Sequence, residues 1–143
     1  MENEIKARLE KEHIRNVKIL PLQPVSRVSY VYSLGDICVV SCKPGLGGSA
    51  MPSKTWSIMS CGRPVIANFD EGELKKIIED NKCGVFTRAG DIIGFAETLK
   101  KLSKTPSDCV KMGENARQFI LNNLTKEVGS KKYVEIIKSV VNN

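Results

Sequence analysis

Asp36-Ile-Cys-Val-Val-Ser-Cys42 runs into Lys43-Pro-Gly-Leu-Gly-Gly-Ser-Ala50 and then into Met51-Pro-Ser-Lys-Thr-Trp-Ser-Ile-Met-Ser60. The first run is continuously apolar and of strand length, the pattern of a strand buried on both faces of a parallel sheet. The last reads as a short helix with Pro52 in its first turn, closed at Cys61-Gly62. Strand, glycine-rich loop and helix in that order form the junction at which open α/β sheets bind ligands, beyond the carboxyl ends of their strands.

Working outward, Pro64-Val-Ile-Ala67 reads as a second buried strand and Val85-Phe-Thr87 as another. Between them residues 71–81 form an amphipathic helix closed by Lys82-Cys-Gly84. Residues 25–34 carry Val28, Val31, Tyr32 and Leu34 at helical spacing and stop at Gly35. Val17-Lys-Ile-Leu20 is short and β-branched, ends near Pro21 and Pro24, and reads as a strand followed by a turn. Residues 2–14 place Ile5, Leu9 and Ile14 on one face of an amphipathic surface helix. From Asp91 onward three helices are expected, over residues 91–103, 107–122 and 126–141, the first two opening near Asp or Ser cap candidates. Strands alternating with helices over short loops define an α/β fold with a parallel sheet and right-handed crossovers.

The chain has 143 residues, 41% hydrophobic and 27% charged, too apolar for disorder and of a size for one domain. A fold of this size buries about 68–70% of its unfolded surface, enough to stand without disulfide or metal. Five cysteines, with no Cys-x-x-Cys pair, read as reduced and mostly buried. His13, in a charged stretch, reads as a solvated helix residue. With 22 basic and 16 acidic residues the net charge is +6, suited to an anionic ligand or an acidic membrane surface and too scattered for a nucleic-acid arm. No stretch reaches the about 18 apolar residues of a membrane span, and the N-terminus is not signal-like, so a cytoplasmic chain is expected.

In the central junction, Gly45, Gly47 and Gly48 permit backbone conformations that expose successive N–H groups, and the helix dipole adds positive potential at the same place. The arrangement favours a phosphate or diphosphate; the same glycines also suit a merely flexible loop. Lys54 in the first turn opposes the dipole by a few tenths of a kcal/mol (about 0.3) unless an anion sits there, or else points to solvent. Ser49, Ser53 and Ser57 supply hydroxyls, with Ser53 equally a cap candidate. Trp56 and Met59 read as core anchors. Asp70, Glu71 and Glu73 open a helix, where the dipole favours acidic side chains. The lysine pairs at 75–76, 100–101 and 131–132 read as solvated faces.

The segments Val17-Lys-Ile-Leu20, Tyr32-Ser-Leu-Gly-Asp36-Ile-Cys-Val-Val-Ser41, Pro52-Ser-Lys54, Cys61-Gly-Arg-Pro-Val-Ile-Ala67 and Asn81-Lys-Cys-Gly84-Val-Phe, in this order, resemble the C-terminal half of GT-B glycosyltransferases of family 4. The resemblance covers roughly residues 5–140 and is strongest to bacterial members that assemble capsule, colanic acid or O-antigen polysaccharides. It implies a Rossmann-like parallel sheet with helices on both faces, incomplete at its N-terminal end and finished by C-terminal helices. Residues 1–143 would be a single partial domain that binds a nucleotide-sugar donor as substrate, with no cofactor or metal. Gly47, Gly48 and Ser49 would approach the donor's sugar and diphosphate through backbone N–H groups. The helix from Pro52 would carry the ribose contact, and Leu22 and Gln23 would pack on the base. Many members carry a Glu at the positions of Ser49 and Ser57; with both carboxylates replaced, a differently arranged donor grip is implied.

The family's diphosphate-binding basic pair, two further strands and acceptor domain would precede Met1. The resemblance therefore implies a donor half that works with an acceptor-binding N-terminal domain or separate subunit, peripheral to the inner membrane face, and inactive in transfer on its own. The competing expectation is a non-catalytic α/β interaction module whose free sheet edge pairs with another chain.

Overall fold

The computed structural model describes residues 2–141. A three-stranded parallel sheet runs through the middle of the chain in the order β1 (Cys38–Ser41), β2 (Val65–Phe69), β3 (Gly84–Arg88). Val40 pairs with Ala67 and Ala67 with Phe86, so β2 is central. Helix α1 (Glu2–Lys11) precedes a 3-10 turn (Val25–Arg27) and α2 (Val28–Ser33). Helix α3 (Ser53–Ser60) crosses from β1 to β2, and α4 (Glu73–Asp80) from β2 to β3. The chain continues through α5 (Ile92–Leu102), α6 (Pro106–Asn123) and α7 (Lys126–Val141).

Alternation along β2 sorts the core into two layers. Val65, Ala67 and Phe69 join Val40, Ile58, Met59, Leu74, Ile78, Ala116 and Ile120 on one face, while Ile66 joins Leu102 and Cys109 on the other. Helices therefore cover both faces, as the α/β pattern requires. Continuous burial belongs to β2 rather than to residues 36–42: Val39 on β1 is 46% exposed, because β1 is an edge strand of the described sheet. Trp56 stacks on Phe119, ring centroids 6.3 Å apart, and Met59 is fully buried, so both anchor α3 to α6 as expected. A Cβ on Gly113 would collide with the Gly62 carbonyl, so glycine is what lets α6 lie against the turn that follows α3.

Three helix ends share one hydrogen-bond pattern in which the residue at C′ has a positive φ. After α3, Gly62 (φ 68) takes that place, with Gly62 N–H donating to the Met59 carbonyl and Arg63 N–H to that of Ile58. After α4 it is Lys82 (φ 49), with Lys82 donating to Glu79 and Cys83 to Ile78. After α1 it is His13 (φ 53), with His13 donating to Glu10 and Ile14 to Leu9. His13 is thus a helix stop beyond Lys11 and not a helix residue, and α4 is closed by Lys82 while Gly84 opens β3. Asp91 caps α5, its carboxylate accepting from Gly94 N–H at 2.9 Å. Pro106 starts α6 after Thr105, whose side chain makes no cap bond.

Residues 17–20 correct the fourth expected strand: among the described residues they pair with nothing, and Val17 and Leu20 stay about half exposed. A β-branched run becomes a strand only against a neighbour's N–H and C=O groups.

Candidate functional site

Each parallel strand delivers its chain to the same, carboxyl edge of the sheet, where three loops meet. The loop after β1 (residues 42–52) holds the glycines, the loop after β2 (70–72) lies beneath it, and the loop after β3 (89–91) meets it at Pro44. A Cβ on Gly90 would lie 3.1 Å from Pro44 Cγ, which measures that approach. Asn68, at the end of β2, donates from Nδ2 to Thr87 Oγ1 at 2.9 Å and to the Arg88 carbonyl at 3.0 Å, fixing the third loop to the second.

Gly47 is the buried point of the glycine-rich loop. A Cβ there would sit 2.6 Å from Cys42 Sγ and 2.8 Å from Phe69 Cδ1. Its N–H donates to Asp70 Oδ2 at 2.8 Å. Next to it a Cβ on Gly72 would strike the Gly48 carbonyl, so the two loops are in backbone contact. Two short turns shape the loop, Leu46 N–H donating to the Lys43 carbonyl at 3.2 Å and Ala50 N–H to that of Gly47 at 3.0 Å. Among the described residues, the N–H groups of Gly48 and Ser49 donate to no protein acceptor.

Helix α3 opens at the same edge. Its N-cap is Pro52 (φ −68, ψ 123), with no side-chain cap, so Ser53 is the first helical residue and not the cap. The N–H groups of Ser53 and Lys54 find no acceptor among the described residues, and Thr55 N–H bonds the Pro52 carbonyl at 2.9 Å. An uncapped N-terminus keeps its partial positive charge available to an anion. Ser49, Ser53, Lys54 and Ser57 are all exposed, and Lys54 makes no ion pair among the described residues. Ser57 Oγ donates weakly to the Ser53 carbonyl, 3.3 Å along the same exposed face of α3.

Five of the eight expected site residues, Gly48, Ser49, Ser53, Lys54 and Ser57, are therefore exposed on one loop and helix. Gly47 belongs to the same loop, but its N–H is already engaged. Leu22 is fully exposed at 101%, and Gln23 Nε2 donates to the Pro21 carbonyl at 2.9 Å. Among the described residues no hydrogen bond joins either to the glycine-rich loop. Asp70, expected with Glu71 and Glu73 to open the next helix, instead stands ahead of α4 at the carboxyl edge and accepts the Gly47 N–H. Among the described residues no group of His, Cys, Asp and Glu is placed to hold a metal ion, and no helix is long and apolar enough to cross a membrane.

A parallel sheet covered by helices on both faces, with a glycine-rich loop feeding an uncapped helix, defines a Rossmann-like α/β domain. Residues 1–119 match the family model of glycosyl transferases group 1, and the chain belongs to that family. It is 19% identical over 119 residues to WbjE of Pseudomonas aeruginosa and 29% identical over 97 residues to EpsD of Bacillus subtilis (strain 168), both named as glycosyltransferases. These alignments take in 82% and 67% of this chain but 29% and 24% of the relatives' own lengths. Among solved structures, sucrose-phosphate synthase from Thermosynechococcus elongatus superposes with a TM-score of 0.79 at 18% identity, over 98% of this chain and 34% of that one. The likeness fixes the fold as a GT-B glycosyltransferase domain, in line with the family resemblance of the sequence.

Proposed function

We propose that this chain is the donor-binding part of a glycosyltransferase, taking a nucleoside diphosphate sugar as substrate at the carboxyl edge of its sheet. One observation carries the reading: four N–H groups without protein acceptors among the described residues, on Gly48, Ser49, Ser53 and Lys54, sit on one loop and one helix N-terminus, with Lys54 exposed in the first turn of that helix. In the reaction, a bond forms from an acceptor hydroxyl to the sugar as the bond to the diphosphate breaks. Charge grows on the leaving diphosphate, and aimed N–H groups, the helix N-terminus and Lys54 stabilise it. Ser57 and Ser53 hydroxyls serve the ribose where many relatives carry carboxylates, and Leu22 and Gln23 serve the base.

The acceptor, a saccharide or lipid-linked one at the inner membrane face, is held by an acceptor-binding domain or subunit, and the +6 charge suits an anionic leaflet beside it. The 143-residue chain alone is expected to give no turnover in a radiolabelled sugar-transfer assay, and clear turnover would overturn the need for a separate acceptor-binding part. Isothermal titration with UDP, GDP and ADP tests the donor site: at least one binds at millimolar strength or better, and Lys54→Ala weakens it about three- to tenfold, a loss of roughly 0.6–1.4 kcal/mol. Absence of binding to all three at high concentration favours the interaction-module reading, which the exposed edge at Val39 supports.

A further inference from the structure

The glycine-rich loop places a buried N–H, at the start of its second turn, where a ligand-binding loop would be expected to spend it on the ligand. That N–H, on Gly47, instead points at the Asp70 carboxylate, 2.8 Å away. Asp70 follows β2 directly, and β2 is the most buried strand of the sheet, so the carboxylate is fixed to the stiffest part of the molecule. Gly47 has no room to move sideways between Cys42 and Phe69. Its neighbour Gly48 rests its carbonyl against Gly72. Three contacts from one short segment, 69–72, thus hold two successive residues of the loop.

We propose that Asp70 is a positioning residue: by accepting the Gly47 N–H it locks loop 43–50 in the one conformation that leaves the Gly48 and Ser49 N–H groups facing outward beside the α3 N-terminus. The inference rests on the donor-site reading for its functional half, and it reassigns the expected role of Gly47 from ligand contact to anchor. A loop fixed before binding loses little conformational freedom when the diphosphate arrives, and the whole of its hydrogen bonding goes to the ligand. An acceptor oxygen is all the Gly47 N–H requires, so a carboxamide at position 70 does the same work as the carboxylate.

The test uses two readouts on the 143-residue chain. Amide hydrogen exchange follows loop 43–50 without ligand, and titration compares UDP, GDP and ADP with the corresponding nucleosides. Asp70→Ala raises Gly47 exchange at least tenfold while the strands keep theirs, and weakens nucleoside diphosphate binding about tenfold with less than twofold effect on the nucleoside. Asp70→Asn stays within threefold of the parent in both. Gly47→Ala, which displaces the loop with the carboxylate intact, reproduces the Asp70→Ala pattern. Unchanged Gly47 exchange in Asp70→Ala overturns the clamp. A freed loop with undiminished diphosphate affinity overturns its positioning role, and so does an equal loss of nucleoside and diphosphate binding. If the parent chain binds no nucleotide, the donor-site reading fails on its own, and hydrogen exchange still decides the clamp.

Discussion

Among the described residues, every buried side chain lies between Val40 and Ile120, whereas α1 and α7, the helices at either end, bury none. In the central stretch, residues far apart in sequence are pressed together by parallel pairing and by helices on both faces. In the flanks, order is local: Glu2–Lys6 and Arg8–Glu12 ion pairs at 2.6 and 2.7 Å brace α1 and its end, and such exposed pairs add little. A ten-residue helix with that support is marginal by itself. The apolar side of α7, with Tyr133, Ile136, Ile137 and Val140, faces solvent. Apolar content thus does not locate a core; long-range pairing does.

The largest test of that contrast is Ile66→Ala. Ile66 is wholly buried on the central strand, and its truncation lowers unfolding free energy by about 2–5 kcal/mol in urea titration. A loss under about 1 kcal/mol would break the contrast. A smaller effect comes from pH. Burial pushes the Cys83 thiol up to about 11 from an ordinary 9.0, and burial likewise raises Cys38 and Cys109. The folded thiols hold their protons to higher pH than unfolded ones, so below about pH 9 they are silent. Between about 9 and 11 the unfolded chain ionises first and stability falls, on the order of 2 kcal/mol from Cys83. Cys83→Ala flattens that decline; a curve of the same slope in the variant would remove the assignment. The smallest effect is expected of Ile137→Ser on α7, within about 0.5 kcal/mol of the parent, since the side chain is 59% exposed. A drop as large as that of Ile66→Ala would show that the flank belongs to the folding unit.

The same contrast explains what could be read from the sequence. The Pro64-Val-Ile-Ala67 strand, the Asp91 cap and the α7 span from Lys126 to Val141 follow from apolar period and cap chemistry, which act locally. The glycine-rich loop and the start of α3 near Pro52 are legible because their neighbours in space are neighbours in sequence, although Ser53, a cap candidate, is the first helical residue instead. Residues 17–20 misled because strand propensity says nothing of whether a partner edge is present. His13 and Lys82 are hidden for a related reason: a left-handed residue other than glycine is tolerated only where the surrounding hydrogen bonds hold it, and those bonds are set by where the chain goes next. Asp70 is 23 residues from Gly47. Only the pairing of β1 with β2 brings them together, so the dipole argument missed the partner, and Asp70 lies ahead of the Gly72 cap rather than in the first turn of α4.

The clamp under the glycine-rich loop also divides that loop into positions of very different mutational latitude. Gly47 and Gly72 are fixed by the space around them, but Lys43, Leu46, Ser49 and Met51 are exposed and carry no core contact. A combinatorial library varied at those four positions, with the two glycines and Asp70 held, would explore new ligand preferences on an unaltered framework. Inheritance can work the same way: a loop rimmed by replaceable side chains over an immovable floor can change its surface without having to solve its folding again.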